Sequence, residues 1–200
     1  MTTINFPSSL TKINSRCFED CTNLDITVDL SNITLTGERN FVNCKKVKIS
    51  NLPKTSSYPP QAFCGMTSLT SITIPKEVTS FGNSSFVDCT NLQSVTFESN
   101  SQLTTLTAGA FNGCSALSSI IIPEGCTTLG YRCFRNCDNM TLIDIPSTVT
   151  SIEYQFAFIQ NPANTIPLTV IFRCNLPTFT SDTDPFNKKL QCISIYVPDD

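Results

Sequence analysis

The chain has 200 residues, of which 40% are hydrophobic and 14% are charged, and its formal net charge is −3. This balance provides no basic stripe of the kind that contacts nucleic-acid phosphates, and no apolar run reaches the ~18 residues of a membrane-spanning helix. Histidine, the usual proton shuttle near neutral pH, does not occur.

The N-terminal sequence MTTINFPSSLTKIN has neither the basic start nor the continuous apolar segment of a secretory signal peptide. The last residues, IYVPDD, read as strand sequence that stops abruptly, which favours a continuation beyond residue 200. Two interpretations therefore stay open: the protein is not exported by that route, or the chain is a fragment of a longer one.

A single phrase returns along the chain with a period of about 23 residues, within the range of known repeat architectures. Its phenylalanine recurs at nearly constant intervals, as Phe18, Phe41, Phe63, Phe86, Phe111 and Phe134. A cysteine stands three residues later in every copy but one, where Met66 replaces it: Cys21, Cys44, Cys89, Cys114 and Cys137. Marks in such constant register indicate a repeat protein.

Each unit begins with strand-like sequence and continues through several corners. Residues 69–74 alternate apolar and hydroxyl side chains, the period of a half-buried strand, and Pro75 ends that strand. The later apolar residues Val78, Phe81 and Phe86 are spaced too irregularly for an amphipathic helix. They are typical of a chain that turns repeatedly and points a side chain inward at each corner.

The units are expected to stack. Gly82 and Gly130 occupy equivalent places, and we expect them to relieve a corner that requires positive φ. Because one unit cannot bury its apolar side alone, successive units cover one another, with strands paired in parallel ~4.8 Å apart. The sequence predicts a mainly β repeat solenoid with a parallel strand ladder and little or no helix.

The whole chain, residues 1–200, is predicted to form a single solenoid whose regularity varies. The repeats are regular over about residues 69–152, degenerate over 1–68 and irregular over 153–200. After Ile152 the phenylalanine position falls on Ala157 and the cysteine position on Gln160, with Phe186 as a late marker. Irregular end units are expected where a solenoid closes its exposed ladder.

The unit LTSITIPKEVTSFGNSSFVDCTN, residues 69–91, resembles the leucine-rich repeat of the BspA-like (Treponema-type) surface proteins. That class repeats at about this period, with this strand, this proline and this Phe-x-x-Cys ending. The segment NKKLQCISIYVP, residues 187–198, resembles the degenerate closing repeat of the class, and the likeness covers residues 4–198.

The resemblance implies a non-catalytic leucine-rich repeat protein at the cell surface that adheres to host cells or matrix by binding their proteins. Because fold likeness alone is a weak warrant for function, an intracellular, cytoplasmic scaffold for protein–protein interaction remains the alternative. Under either interpretation we expect no cofactor, no nucleic-acid partner and no membrane insertion by this chain.

The 11 cysteines are interpreted mainly as core thiols, since Met66 shows that the repeated position accepts a medium-sized apolar side chain. Cys17 and Cys21, and likewise Cys133 and Cys137, are spaced C-x3-C, but the remainder of a zinc site is missing. The odd total argues against a complete disulfide framework, as do the cysteines that lie outside the repeated position, which besides Cys17 and Cys133 are Cys64, Cys126, Cys174 and Cys192.

An enzyme is not predicted. Without histidine, neither cysteine nor serine has its usual general base, and no phosphate-binding or dinucleotide-binding glycine motif occurs. Carboxylates are expected at solvent-facing corners, where two could meet across turns as in a glycosidase: Asp20, Glu77, Asp88, Glu98, Glu124 and Asp144.

The outward side of the strand ladder is the candidate ligand-facing surface: Ser71, Thr73, Ser94, Thr96, Ser119, Ile121, Leu142 and Asp144. Its hydroxyl groups either simply solubilise a sheet face or form an extended contact surface. Tyrosine, tryptophan and arginine, which commonly anchor interfaces, are scarce there, so adhesion would rely on many weak contacts. Glycosylation sequons begin at Asn32, Asn83 and Asn139 and matter only if the protein meets a glycosylation machinery.

Overall fold

In a computed structural model, the chain is described over residues 6–153, 168–173, 178–179 and 193–196. These residues contain no helix and form short strands: β1 (Lys12–Ile13), β2 (Thr27–Asp29), β3 (Thr34–Leu35), β4 (Lys48–Asn51), β5 (Ser71–Ile74), β6 (Ser94–Phe97), β7 (Thr105–Leu106), β8 (Ser119–Ile121), β9 (Thr128–Leu129), β10 (Leu142–Ile145), β11 (Ser151–Ile152), β12 (Leu168–Phe172), β13 (Thr178–Phe179) and β14 (Ile193–Tyr196). The positions predicted at Ala157, Gln160 and Phe186, and Cys174 and Cys192, lie outside the described residues.

The strands stack as the repeat predicted, because each unit contributes one rung to a parallel sheet. The main sheet has the order β14-β12-β10-β8-β6-β5, and a second sheet along another side has the order β13-β11-β9-β7. Equivalent residues are in register, so that Ser71 pairs with Ser94, and Ser94 with Ser119. The predicted parallel β-solenoid, in which one repeat of the sequence makes one turn, is confirmed.

The N-terminal units pair separately from the main sheet. β2 pairs with β4, with a register shift between Val28 and Asp29, and β1 pairs with β3. Isolated bridges from Ser57 to Ser80 and from Ser80 to Thr105 continue the line of the second sheet toward the N-terminus. The irregular sequence of these units thus gives shorter and less regular ladders.

The core contains a column of six stacked phenylalanines, one from each unit. Neighbouring ring centroids are 5.1–6.1 Å apart and the ring planes are within 16° of parallel, along Phe18, Phe41, Phe63, Phe86, Phe111 and Phe134. A second stacked pair, Tyr58 and Phe81, packs edge-on against this column. Each unit therefore buries its aromatic ring against the units before and after it.

The repeated cysteines line the core beside the rings. Four are buried, and each thiol donates a hydrogen bond of 2.9–3.2 Å to the carbonyl of the phenylalanine in the preceding unit of the column: Cys44, Cys89, Cys114 and Cys137. Cys21 is half-buried, and Met66 is buried at the equivalent position. Burial raises the pKa of Cys44 and of Cys89 to about 12, so these groups are held as neutral thiols.

The corners around the phenylalanine column use left-handed backbone. The residues two before and two after each phenylalanine have φ of +54° to +77°, and most are not glycine: Arg16, Asp20, Arg39, Asn43, Gln61, Gly65, Ser84, Asp88, Gly109, Gly113, Arg132 and Asn136. Alternating left- and right-handed residues turn successive N–H groups to one side. The N–H groups of Arg39, Phe41 and Asn43 accordingly all donate to carbonyls of the next unit, at 2.8–3.0 Å.

Gly82 and Gly130 were predicted to relieve a corner that requires positive φ, and this reason was wrong. Neither has a positive φ. Both instead lie where the backbone of the preceding unit approaches closely: a Cβ at Gly82 would be 2.4 Å from the Pro59 carbonyl carbon, and one at Gly130 would be 2.7 Å from the Leu106 oxygen. Glycine at this corner is required by contact between units.

Candidate functional site

The exposed side of β5, β6, β8 and β10 forms a face, hereafter the strand face, in which alternate residues point outward. Ile72, Val95, Ile120 and Ile143 point inward and are at most 7% exposed. Of the eight residues singled out from the sequence, six are exposed and the last two are half-buried: Ser71, Thr73, Ser94, Thr96, Ser119, Ile121, Leu142 and Asp144.

Parallel register aligns the strand face into two columns of short side chains. Ser71, Ser94 and Ser119 lie opposite one another along the first column. In the second column the hydroxyl oxygens of Thr73 and Thr96 are 3.0 Å apart and share a hydrogen bond. The face therefore presents an ordered array of small polar groups that can contact an extended partner surface.

An ion-pair cluster that was not predicted from the sequence lies at the C-terminal side of the strand face. Arg173 follows β12 and donates to both carboxylate oxygens of Asp144, with Nε–Oδ1 and Nη2–Oδ2 distances of 2.8 and 2.7 Å. Its Nη1 also lies 3.4 Å from Glu124 Oε1. Hydrogen bonding to Asp144 raises the pKa of Arg173, so the guanidinium remains charged.

A cleft interrupts the strand face between β6 and β8. Its lining includes the half-buried Phe97 and Ile121, which is 57% exposed, together with Glu98 and Glu124. Of these, only Ile121 was assigned to the face from the sequence. One feature of the sequence could have indicated the cleft: the interval from Phe86 to Phe111 is longer than every other interval between successive phenylalanines of the column.

Five of the six carboxylates considered for catalysis lie at corners, but the prediction of a corner position was wrong for Asp144, which lies on β10. Asp20, Asp88, Glu98 and Glu124 are exposed, and Glu77 and Asp144 are half-buried. Within the described ranges, no group of three or more histidine, cysteine, aspartate or glutamate residues is placed to hold a metal ion. In the same part of the chain, no helix has the length and hydrophobicity to cross a bilayer.

All nine cysteines among the described residues are free thiols, and among them Cys17 is exposed and Cys64 is half-buried. The three sequon asparagines, Asn32, Asn83 and Asn139, are exposed. The hydroxyl of Ser85 in the second sequon is buried and donates a 2.6 Å hydrogen bond to the Gly82 carbonyl. This hydroxyl is therefore already occupied in the folded chain.

Several solved structures share the fold. A leucine-rich cell surface protein from Faecalibacterium prausnitzii is 21% identical with a TM-score of 0.54, over 97% of this chain and 62% of its own. The T. pallidum leucine-rich repeat protein is 25% identical with a TM-score of 0.51, over 62% and 55%. The pneumococcal vaccine antigen PcpA is 18% identical with a TM-score of 0.56, over 84% and 52%. This chain thus spans little more than half the length of these proteins.

The family comparison is more direct than these structural likenesses. No curated protein matches the chain. The model of the BspA type leucine rich repeat region matches in 6 copies, over residues 1–107 and 56–173. These matches cover most of the chain, and their repeat is the one that forms the stacked units described above. The chain therefore belongs to the BspA-type leucine-rich repeat family.

Proposed function

We propose that the chain is the binding part of a cell-surface protein that adheres to host cells or matrix by contacting their proteins through the strand face. The observation that carries this proposal is the in-register array of exposed side chains along β5, β6 and β8. Leucine-rich repeat proteins generally bind other proteins, and solenoids present extended surfaces for that purpose. Two of the similar structures are described as a cell surface protein and a vaccine antigen, which supports a surface location.

The composition of the strand face sets the mode of binding. Serine and threonine lose little side-chain entropy on contact, and the Thr73–Thr96 hydrogen bond already orders two of them. Large aromatic anchors are scarce, so a single contact area gives modest affinity. Adhesion then depends on many copies of the protein acting together on one surface. This mode of action requires neither catalysis nor a cofactor.

The location is tested by labelling intact source cells, without permeabilisation, with an antibody raised against this chain. We expect labelling that disappears after external protease treatment. Labelling seen only after permeabilisation would contradict a surface role. The binding itself is tested by adding purified chain to assays in which source cells attach to host cells or matrix-coated wells, where we expect competition that lowers attachment.

One observation favours the intracellular scaffold as a second candidate. All nine cysteines in the described part of the chain are free thiols, whereas disulfides are common in extracellular proteins. The same strand face would then hold a cytosolic partner. The labelling experiment separates the two candidates, since only a surface protein is reached by antibody and protease from outside.

A further inference from the structure

One unit of the solenoid is longer than its neighbours, and the additional residues lie directly beside the strand face. The unit is bracketed by Phe86 and Phe111, the most widely spaced neighbours in the phenylalanine column. Five residues separate Phe97 from Leu103, where three separate the equivalent Ile74 and Val78 of the preceding unit. The corner after β6 is thus enlarged by two residues.

The enlarged corner separates β6 from β8. β5 pairs with β6 at four positions and β10 pairs with β8 at three, but β6 and β8 pair only at Ser94 and Ser119. Beyond that pair lies a cleft of about 610 Å³, lined by both strands and by the corners at Glu98 and Glu124. This volume, hereafter the β6–β8 cleft, is within the ~300–1,000 Å³ of typical ligand sites.

The β6–β8 cleft exposes apolar side chains that the regular units bury or replace. Phe97 is half-buried, although Ile74 at the equivalent position is fully buried. Ile121 is the exposed large hydrophobic residue of the described chain, at a position where β5 and β6 carry Thr73 and Thr96. Accessible apolar groups gathered in a concave site are typical anchor points for a partner side chain.

Carboxylates give the β6–β8 cleft a negative rim. Glu98 and Glu124 are part of its lining, which contains no basic side chain. Glu98 accepts a 3.0 Å hydrogen bond from the backbone N–H of Lys76, which leaves its charge in place. The nearby guanidinium of Arg173 donates to both oxygens of Asp144 and pairs with Glu124 at 3.4 Å, so among the described residues Glu98 is the rim carboxylate without an ion pair. Complementarity therefore favours a cationic group at this rim.

We propose that the β6–β8 cleft holds an apolar side chain and, two residues away, a lysine or arginine side chain, both carried on one side of an extended segment of a protein partner. The apolar side chain packs on Phe97 and Ile121, while the cationic side chain approaches Glu98. Alternate side chains of an extended segment point to the same side, so an apolar and a cationic side chain two residues apart can both enter the cleft. This inference rests on the proposed protein-binding function and assigns one specific subsite within the strand face.

The test is selection of random linear peptides displayed on phage against the intact chain, followed by affinity measurements on the enriched peptides. We expect enriched sequences with an aliphatic or aromatic residue two positions from a lysine or arginine. Ile121→Asp should weaken their binding about tenfold or more. Ile121→Thr, which introduces the threonine found at this position in the two preceding units, should also weaken peptide binding. Glu98→Gln should weaken peptide binding less than Ile121→Asp does, and should reduce the salt dependence of that binding.

Thr150→Asp is the matched control, because it adds the same charge at an exposed position outside the cleft and the strand face. It should leave peptide affinity unchanged. Failure to enrich any peptide, enrichment of peptides without the apolar–basic pair, or full binding to Ile121→Asp would overturn the proposal. If Ile121→Asp still competes in host-cell attachment as well as the unchanged chain does, the cleft assignment fails while the proposed function stands.

Discussion

Removal of one ring from the phenylalanine column should destabilise the solenoid strongly. Phe86 is fully buried, and its ring stacks on Phe63 and Phe111 at centroid distances of 5.1 and 5.5 Å. It also meets Phe81 and Tyr58 edge-on, at 5.8 and 6.1 Å. Phe86→Ala therefore removes four aromatic contacts and leaves a cavity between rigid neighbours. We expect the free energy of unfolding to fall by about 3–5 kcal/mol.

Urea unfolding followed by far-UV circular dichroism measures this loss. Phe97→Ala is the matched control, because the same atoms are removed from a half-buried phenylalanine outside the column. That control should cost less than about 2 kcal/mol, since part of the ring is already in water. Equal losses for the two variants, or a loss for Phe86→Ala below about 1 kcal/mol, would refute the stacked column as the principal core.

Three further predictions concern the corners, the charges and the thiols. Gly130→Ala should cost about 1–3 kcal/mol in urea unfolding, because its Cβ would lie 2.7 Å from the Leu106 carbonyl oxygen; an unchanged midpoint would contradict the close contact. Arg173→Met should change the free energy of unfolding by less than about 1 kcal/mol, because its side chain is 40% exposed; a larger loss would show a structural role for the cluster. Burial raises the pKa of Cys89 to about 12 and that of Cys126 to about 11, above the unfolded value of ~8.5. The contribution of these thiols to stability should therefore be constant below pH ~8.5 and should fall above it, by up to ~1.4 kcal/mol per pH unit for each thiol. Unfolding midpoints that stay constant from about pH 8 to about pH 10 would contradict this expectation.

The fold could be predicted because the same structural pattern recurs in each repeat of the sequence. Alternation in residues 69–74 predicts one half-buried strand, and the same alternation in later units predicts equivalent strands that must stack in parallel. Pro75 correctly marks the end of β5 at Ile74. An error in any one unit is outweighed by agreement among the others, which is why the solenoid could be predicted without any single strong motif.

Features that depend on contacts between units could not be predicted. Glycine at position 82 was attributed to its own backbone angle, whereas the limiting contact is with Pro59 of the preceding unit. The thiol–carbonyl hydrogen bonds likewise join different units, so the repeated cysteine appeared to need only apolar volume. The β6–β8 cleft had a visible signal in the longer spacing, but its effect on strand pairing depends on how two adjacent units fit together. Residues 154–167, which precede Arg173 and β12, offered no repeat register from which to align that arginine with Asp144.

The most direct test of the strand face is to measure binding of purified chain to immobilised matrix proteins and host-cell surface proteins. The double variant Thr73→Arg/Thr96→Arg blocks the face with two long charged side chains. Thr104→Arg/Thr127→Arg makes the same change at exposed positions beside the second sheet. We predict that the first variant loses about tenfold or more in affinity while the second binds like the unchanged chain. Equal binding by all three proteins would contradict the assignment of adhesion to this face.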